Sequence, residues 1–181
     1  MPALDEQAPL TDWLAGCGEA VALVFTDLVE STLLLYSQKT IDYTRMLRSH
    51  RHRAATLIRE HGGRLIDGTG DKHFAVFPSA SQAYGFASDL FHSPGHERLR
   101  IRAGVHYGAV RADGGALVGR TVHLGARVME HATGRELWLS DTAKQALESE
   151  SPEIASAIPW LHHEEYKLKG IPDRQLLWRA A

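Results

Sequence analysis

Two aspartates, Asp27 and Asp71, are the residues of this chain whose type and setting best suit chemistry. Asp27 ends the apolar run VALVFTD, which starts at Val21, and Asp71 ends the segment GGRLIDGTGD, which starts at Gly62. Each aspartate follows a predicted strand and lies beside turn residues, so a sheet could hold both carboxylates at one edge. Magnesium prefers oxygen ligands and is commonly held by one or two carboxylates together with substrate phosphates. The pair therefore predicts a divalent-cation site for nucleotide chemistry.

The hydrophobic pattern predicts the elements that would position these carboxylates. Residues 19–25 form an apolar run without polar alternation, which is typical of a strand buried on both faces. Residues 31–60 fit one or two helices, and a glycine-containing link between two short alternating segments predicts a hairpin with Asp71 at its tip. The remaining pattern predicts a helix after Pro78, a strand over 99–110, a helix from Thr121 to about His131, a short strand, a helix opened by Ser140 and a terminal hairpin.

This order of elements predicts one α+β domain close to a ferredoxin-like arrangement, with helices stacked on one face of a mainly antiparallel sheet. The 181 residues, 44% of them hydrophobic, are enough to bury a single core. We expect residues 20–181 to form this domain. Residues 1–19 mix acid, proline and glycine, and we predict an N-terminal arm that docks on the domain or on a partner.

Charge and cysteine content narrow the partners and the compartment. Twenty basic and twenty-two acidic residues give a formal charge of -2, so no overall positive field exists to hold nucleic acid. The single cysteine, Cys17, cannot form an internal disulfide, which favours a reducing compartment. No apolar stretch approaches the roughly 18 residues of a membrane span, and the start has no basic signal region. We therefore expect a soluble, unprocessed, cytoplasmic protein without a membrane or nucleic-acid partner.

Five segments together resemble one known family. The segment VFTDLVEST, Val24–Thr32, resembles the first metal motif of the class III nucleotidyl cyclases, the adenylate/guanylate cyclase catalytic domains. Gly62–Phe77 is similar to the second metal hairpin of that family, and Ile101–Gly108 to its next strand. Gly119–Arg127 falls on its dimer-spanning helix, and Leu168–Gly170 on its terminal phosphate-binding segment. Because five motifs follow in order at compatible spacing, the resemblance is specific.

The resemblance implies a homodimer in which two domains pair head to tail and share their active sites. Asp27 and Asp71 of one protomer would bind two Mg²⁺ or Mn²⁺ ions, with the Leu28 carbonyl as a further ligand. Arg127 and Lys169 of the other protomer would contact the phosphates, the first as a charged fork and the second as a point charge. The implied reaction is attack by the ribose 3′-oxygen of a nucleoside triphosphate on its α-phosphate, which expels pyrophosphate and leaves a 3′,5′-cyclic nucleotide.

Three positions depart from the family pattern, and all three belong to the base and ribose pocket. Asp67 stands where purine cyclases usually have a lysine or glutamate that contacts the base, and Ala116 aligns with a second base-contacting residue. His123 aligns with the asparagine that orients the ribose. Because Asp67 accepts hydrogen bonds where lysine donates them and Ala116 does neither, adenine would not be recognised in the usual way.

Two explanations for these departures are open. Either the pocket is rebuilt for another nucleotide, or the domain is catalytically silent and acts as a nucleotide-binding or regulatory dimer partner. The retained carboxylates, arginine and lysine favour the rebuilt pocket. Stand-alone members of the wider family that make cyclic pyrimidine nucleotides as antiphage second messengers have altered pockets, and this chain is similar to them. The resemblance thus implies UTP or CTP as substrate and a role in antiviral defence.

Overall fold

A computed structural model of the chain describes residues 8–37 and 40–181. Within these residues the helices are α1 Leu10–Ala15, α2 Ser31–Ser37, α3 Thr40–Glu60, α4 Ala80–His92, α5 Arg120–His131, α6 Asp141–Glu150 and α7 Pro152–Ala157. The strands are β1 Val21–Leu28, β2 Arg64–Asp67, β3 His73–Phe77, β4 Ile101–Gly108, β5 Arg111–Asp113, β6 Ala116–Val118, β7 Leu137–Ser140, β8 Trp160–Tyr166 and β9 Gln175–Ala180.

Seven of the strands form one sheet in the order β2-β3-β1-β4-β7-β9-β8. The pair β4–β7 is parallel and every other pair in the sheet is antiparallel. Strands β5 and β6 form a separate two-stranded hairpin. The prediction of an α+β fold with a mainly antiparallel sheet is confirmed, and the predicted hairpins β2–β3 and β8–β9 are both present.

The helices cover both faces of the sheet, and the prediction that they stack on one face is wrong. Ala22 and Val24 of β1 belong to the cluster under α3, α4 and α6, whereas Val21 and Leu23 pack against α1. Helix α5 packs on this second face. The physical reason is visible in β1 itself, because alternate side chains point to opposite faces and both sets are apolar.

Two glycines let the backbone of α5 approach the sheet closely. A Cβ at Gly104 of β4 would lie 2.3 Å from the backbone nitrogen of Met129. A Cβ at Gly125 of α5 would lie 2.8 Å from the ring of Phe25 on β1. Both distances are well below an ordinary carbon contact. The distance of α5 from β1 and β4 therefore depends on glycine, which has no side chain, at both positions.

The region predicted as an N-terminal arm contains α1, which the hydrophobic pattern did not predict. Leu10 and Trp13 of α1 are buried, Trp13 with 2% of its surface exposed. Arg64 on β2 donates a hydrogen bond to the carbonyl of Ala8 at 2.5 Å. Residues 8–15 thus pack on the α5 side of the sheet, residues 1–7 of the arm lie outside the described residues, and the boundary at residue 20 stays a prediction.

The short helix α7 and the β5–β6 hairpin were also missed, because the helix has six residues, each strand of the hairpin has three, and none shows much periodicity. The predicted serine caps are present: the Ser79 and Ser140 hydroxyls accept hydrogen bonds from backbone N–H groups in the first turns of α4 and α6. Across residues 8–37 and 40–181, none of the helices combines the length and apolar character that crossing a membrane requires.

Candidate active site

Asp27 lies near the end of β1 on the face covered by α5. It is 5% exposed, and its register partner on β4 is Arg102. The guanidinium of Arg102 donates two hydrogen bonds to Asp27 Oδ2, from Nη2 at 2.6 Å and from Nε at 3.2 Å. A carboxylate this buried requires a cationic or hydrogen-bonding partner, and Arg102 supplies both.

Asp71 lies in the turn between β2 and β3, where the backbone is fixed from two directions. Gly70 has φ 68°, a left-handed conformation that favours glycine, and the Lys72 N–H donates to the Thr69 carbonyl at 3.2 Å. Arg51 of α3 donates to the Gly70 carbonyl from Nε at 2.8 Å and from Nη2 at 2.7 Å. A long helix thereby holds the turn that carries Asp71.

The strand register brings the two aspartates to the same end of the sheet. Thr26 pairs with His73, so Asp27 is one residue from this pair and Asp71 is two residues from it. The Thr26 hydroxyl and His73 Nδ1 are 3.3 Å apart. Leu28, the other predicted ligand, is buried and follows Asp27 directly. The pairing of β1 with β3 therefore places both aspartates towards the same end of these two strands, and their joint role as metal ligands stays a prediction.

The donor set at this edge fits magnesium or manganese bound through two carboxylates. Across residues 8–37 and 40–181 no group of three or more His, Cys, Asp or Glu side chains is arranged to hold a metal ion. Mg²⁺ does not need such a cage, since it keeps several waters and takes further oxygens from substrate phosphates. Asp27 and Asp71 would therefore be the protein's ligands to such an ion.

Two buried histidines line the inner side of this region. Burial, together with His50 and Arg51, lowers the pKa of His73 to about 4, and the opposing effect of Asp71 is smaller. Burial also lowers the pKa of His50, whose Nδ1 donates to the Pro94 carbonyl at 2.7 Å. Both imidazoles are therefore neutral near pH 7, and neither adds a positive charge to the surroundings of Asp71.

Sequence reasoning missed Arg51 and Arg102. Arg51 belongs to the basic stretch Arg48–Arg53, whose pattern is that of a solvated helix face. Arg102 lies in the segment Ile101–Gly108, whose resemblance to a family strand gave this arginine no role. The signal that could have revealed Arg102 is the strand pairing. In an antiparallel pair the residue opposite Asp27 points to the same face of the sheet as Asp27, and in β4 that residue is an arginine.

The predicted residues of α5 lie on its outer side. His123 is exposed, and Arg127, four residues later and so on the same face, is half-buried. The Arg127 guanidinium donates to the carboxylate of Glu130, one turn further along. Arg127 thus already has a partner in its own helix, although this exposed ion pair contributes little stability.

A cavity of about 500 Å³ joins the start of α5 to the turn that follows β8. Its lining includes His106, His123 and Gly170. The exposed Lys169 precedes Gly170, whose φ of 75° places it in the left-handed region. His106 is buried and its Nδ1 lies 2.7 Å from the Ser140 hydroxyl. The fold therefore brings His123 and the turn containing Lys169 to one surface of the same chain.

Asp67 and Ala116, the other two pocket candidates, lie on different sheets. Asp67 ends β2, is exposed, and accepts a hydrogen bond at 2.7 Å from the Thr69 hydroxyl. Ala116 is exposed at the start of β6 in the small hairpin. Asp67 retains a second carboxylate oxygen for a ligand, whereas Ala116 offers only a methyl group.

The fold is a mainly antiparallel sheet with Asp27 and Asp71 towards one end of β1 and β3, and with Arg127 on α5 and Lys169 in the turn after β8. The chain belongs to the adenylate and guanylate cyclase catalytic domain family, whose sequence model matches residues 16–178. The predicted class III nucleotidyl cyclase family is thereby confirmed.

The chain is similar to curated proteins in sequence and to solved structures in fold. An uncharacterized protein of Mycobacterium tuberculosis is 31% identical over 148 residues, which are 81% of this chain and 37% of that protein. The chain thus spans little more than a third of the curated relatives it matches. An adenylate cyclase from Trypanosoma brucei, solved in its monomeric state, has a TM-score of 0.75 at 20% identity over 91% of this chain and 90% of its own. The guanylate cyclase domain of RhGC from Catenaria anguillulae, in complex with GTP, has a TM-score of 0.73 at 19% identity over 90% and 96% of the two chains.

Proposed function

We propose that this chain is a metal-dependent nucleotidyl cyclase that converts a nucleoside triphosphate to a 3′,5′-cyclic nucleotide and pyrophosphate. The observation that carries the proposal is the buried Asp27 carboxylate near the end of β1, with Asp71 in the β2–β3 turn at the same end of the paired strands β1 and β3. Burial of a carboxylate costs stability unless it is used or compensated. Two carboxylates at the same end of neighbouring strands suit Mg²⁺ or Mn²⁺, since such an ion is commonly held by one or two carboxylates together with substrate phosphates.

Asp27 and Asp71 would hold the two metal ions, and the Leu28 carbonyl would supply a further oxygen. The ions would activate the ribose hydroxyl and neutralise charge on the triphosphate. Arg127 and Lys169 of a second copy, paired head to tail, would bind the phosphate oxygens. The exposure of Lys169 and the outward position of Arg127 support this arrangement, since both side chains are accessible to another protomer.

The base pocket is proposed to select a pyrimidine, UTP or CTP. Asp67 is an acceptor, so it suits the amino group of cytosine or the ring N–H of uracil. Ala116 lacks a polar atom to recognise the second edge of a purine, and His123 replaces the residue expected at the ribose. A cyclic pyrimidine nucleotide made in this way would act as a second messenger, and antiviral defence is the role we propose for it.

The direct test incubates the purified protein with Mn²⁺ or Mg²⁺ and each of ATP, GTP, CTP and UTP, and resolves the products by chromatography. We expect a cyclic pyrimidine nucleotide and equimolar pyrophosphate. Asp27→Asn and Asp71→Asn should each remove the product while circular dichroism shows that each variant is still folded, with Asp27→Asn less stable because Arg102 loses its charged partner. Absence of a cyclic product from all four nucleotides would refute the proposal, and a cyclic purine alone would refute only the pyrimidine assignment.

One observation favours the alternative of a silent regulatory dimer partner. Asp27 is paired with Arg102 and Arg127 with Glu130, so two of the predicted site residues are compensated within their own chain. A silent partner would bind nucleotide without releasing pyrophosphate. Equilibrium dialysis with labelled UTP and CTP, run beside the product assay, separates the two functions: binding without turnover supports the silent partner, and binding with turnover supports the enzyme.

A further inference from the structure

The guanidinium of Arg102 holds Asp27 and the end of α5 at the same time. Two of its N–H groups donate to Asp27 Oδ2, and Nη1 donates to the Ala132 carbonyl at 3.1 Å. Ala132 is the C-terminal cap of α5, where unpaired carbonyls carry partial negative charge. The arginine therefore has two electronegative partners, and the shorter contact is to the carboxylate.

The charge of Asp27 is consequently satisfied before any ligand arrives. The side chain of Asp27 is 7% exposed and that of Arg102 is 30% exposed, so water screens this pair only in part. Removing one partner of such a pair leaves the other charge buried and uncompensated, which is strongly unfavourable. In the protein without ligand, the ion pair between Asp27 and Arg102 is thus the stable arrangement.

A divalent cation and this guanidinium compete for the same carboxylate. Metal coordination at Oδ2 requires that the two N–H donors leave it. Within the described part of the chain, no hydrogen bond to Asp27 Oδ1 is present, but a cation bound there would lie close to the positive guanidinium and be repelled by it. Either route makes metal binding weaker than two free carboxylates would allow.

We propose that Arg102 is a positioning residue that holds Asp27 closed to divalent cations until a polyphosphate draws its guanidinium away. This inference rests on the proposed function, because it supposes that the metal and a triphosphate meet at this edge of the sheet. A polyphosphate offers the guanidinium several charged oxygens in a geometry that suits its planar fork, and the Ala132 carbonyl is a weak competitor. Metal and polyphosphate then bind with positive coupling, which is reciprocal by linkage.

The first test measures Mn²⁺ binding to the full chain by electron paramagnetic resonance, without nucleotide. We expect Arg102→Gln to bind Mn²⁺ about tenfold more tightly than wild type, within the usual range of coupling between sites. Arg100→Gln is the matched control, since Arg100 lies two residues earlier and donates to the Glu97 and Leu99 carbonyls. Equal or weaker Mn²⁺ binding by folded Arg102→Gln would overturn the proposal.

A second measurement uses wild-type protein and keeps the proposal open to refutation if Arg102→Gln does not fold. In EDTA, the Nε–H resonance of Arg102 should shift when inorganic tripolyphosphate is added, and Arg102→Lys, which keeps the charge, identifies that resonance by its loss. A resonance that does not move contradicts the proposal. If the wild-type protein makes a cyclic product and Arg102→Gln binds Mn²⁺ no more tightly than wild type, this inference alone is refuted. If Arg102→Gln binds Mn²⁺ more tightly but the wild-type protein makes no cyclic product, the proposed function alone is refuted.

Discussion

Replacing Gly104 by alanine tests whether the close approach of α5 to the sheet positions Arg127, the proposed phosphate-binding residue of this helix. The new Cβ would lie 2.3 Å from Met129 N and 2.6 Å from Met129 Cα. Because ordinary carbon contacts are about 3.5 Å or more, the helix must move away from β4 by about 1 Å. These are backbone atoms, so rotation of a side chain cannot relieve the clash. Arg127 precedes Met129 by two residues and must move with it.

Two effects of known size follow from this displacement. Overpacking a well-filled core costs about 1–3 kcal/mol, and a clash with backbone belongs at the upper end of that range. For a protein of this length, a loss of about 2–3 kcal/mol lowers Tm by about 4–12 °C. A misplacement of about 1 Å in the catalytic machinery costs about 100-fold in turnover. We therefore expect Gly104→Ala to be folded, less stable and nearly inactive.

The assays are thermal unfolding by circular dichroism and production of cyclic nucleotide at saturating substrate. Gly134→Ala is the matched control, because a Cβ at Gly134 would meet no atom within 4 Å. This variant should keep the wild-type Tm and turnover. If Gly104→Ala also matched wild type in both, the reasoning that α5 rests directly on β4 would be refuted. A lower Tm with full turnover would show that the height of α5 does not position Arg127.

Three further predictions concern the turn, the buried histidine and the N-terminal helix. Arg51→Met removes the hydrogen bonds to the turn that carries Asp71, so Mn²⁺ binding should weaken about tenfold. The control Arg48→Met, at an exposed position of the same helix, should leave Mn²⁺ binding unchanged. Equal Mn²⁺ affinities of the two variants would contradict the role assigned to Arg51. Burial lowers the pKa of His106 from 6.5 to about 4. The unfolded chain takes up this proton at a higher pH than the folded chain. The free energy of unfolding should therefore decrease by about 3 kcal/mol as the pH is lowered from 6.5 to about 4. Urea unfolding at several pH values in that range should show a smaller loss of the free energy of unfolding for His106→Asn than for wild type or for the exposed control His162→Asn. The same dependence of this free energy on pH in all three proteins would refute the prediction. Trp13→Ala should cost about 3–5 kcal/mol because Trp13 is 2% exposed; an unchanged urea midpoint would show that α1 is not part of the fold.

Much of the fold could be predicted because its signals are local. The non-alternating run before Asp27 predicted a central strand, and β1 is indeed buried from Val21 to Val24. The helix cap at Ser79 and the glycine-rich turn before Asp71 both have local sequence signals, although Arg51 of α3 also holds that turn. Helix α1 escaped prediction because six residues carry too little periodicity, and its burial depends on strands far along the chain.

The residues of the candidate site likewise differ in whether the sequence reveals them. The carboxylates were found from residue type and setting, Arg127 and Lys169 were implied by the family resemblance, and the catalytic roles of all four stay predictions. Arg102 was not found, because its importance arises from the register that places it opposite Asp27. Arg51 was not found because only the packing of α3 brings it to the Gly70 carbonyl.

By itself the sequence determined the family, the strand that ends in Asp27 and the turn that bears Asp71, since each depends on short segments whose turn chemistry and apolar pattern act locally. Only the tertiary structure decided that helices cover both faces and that α5 rests on Gly104. It alone also decided that Asp27 is paired with Arg102. The physical reason is that strand register and close packing join residues that are 75 positions apart, and no local pattern encodes that distance.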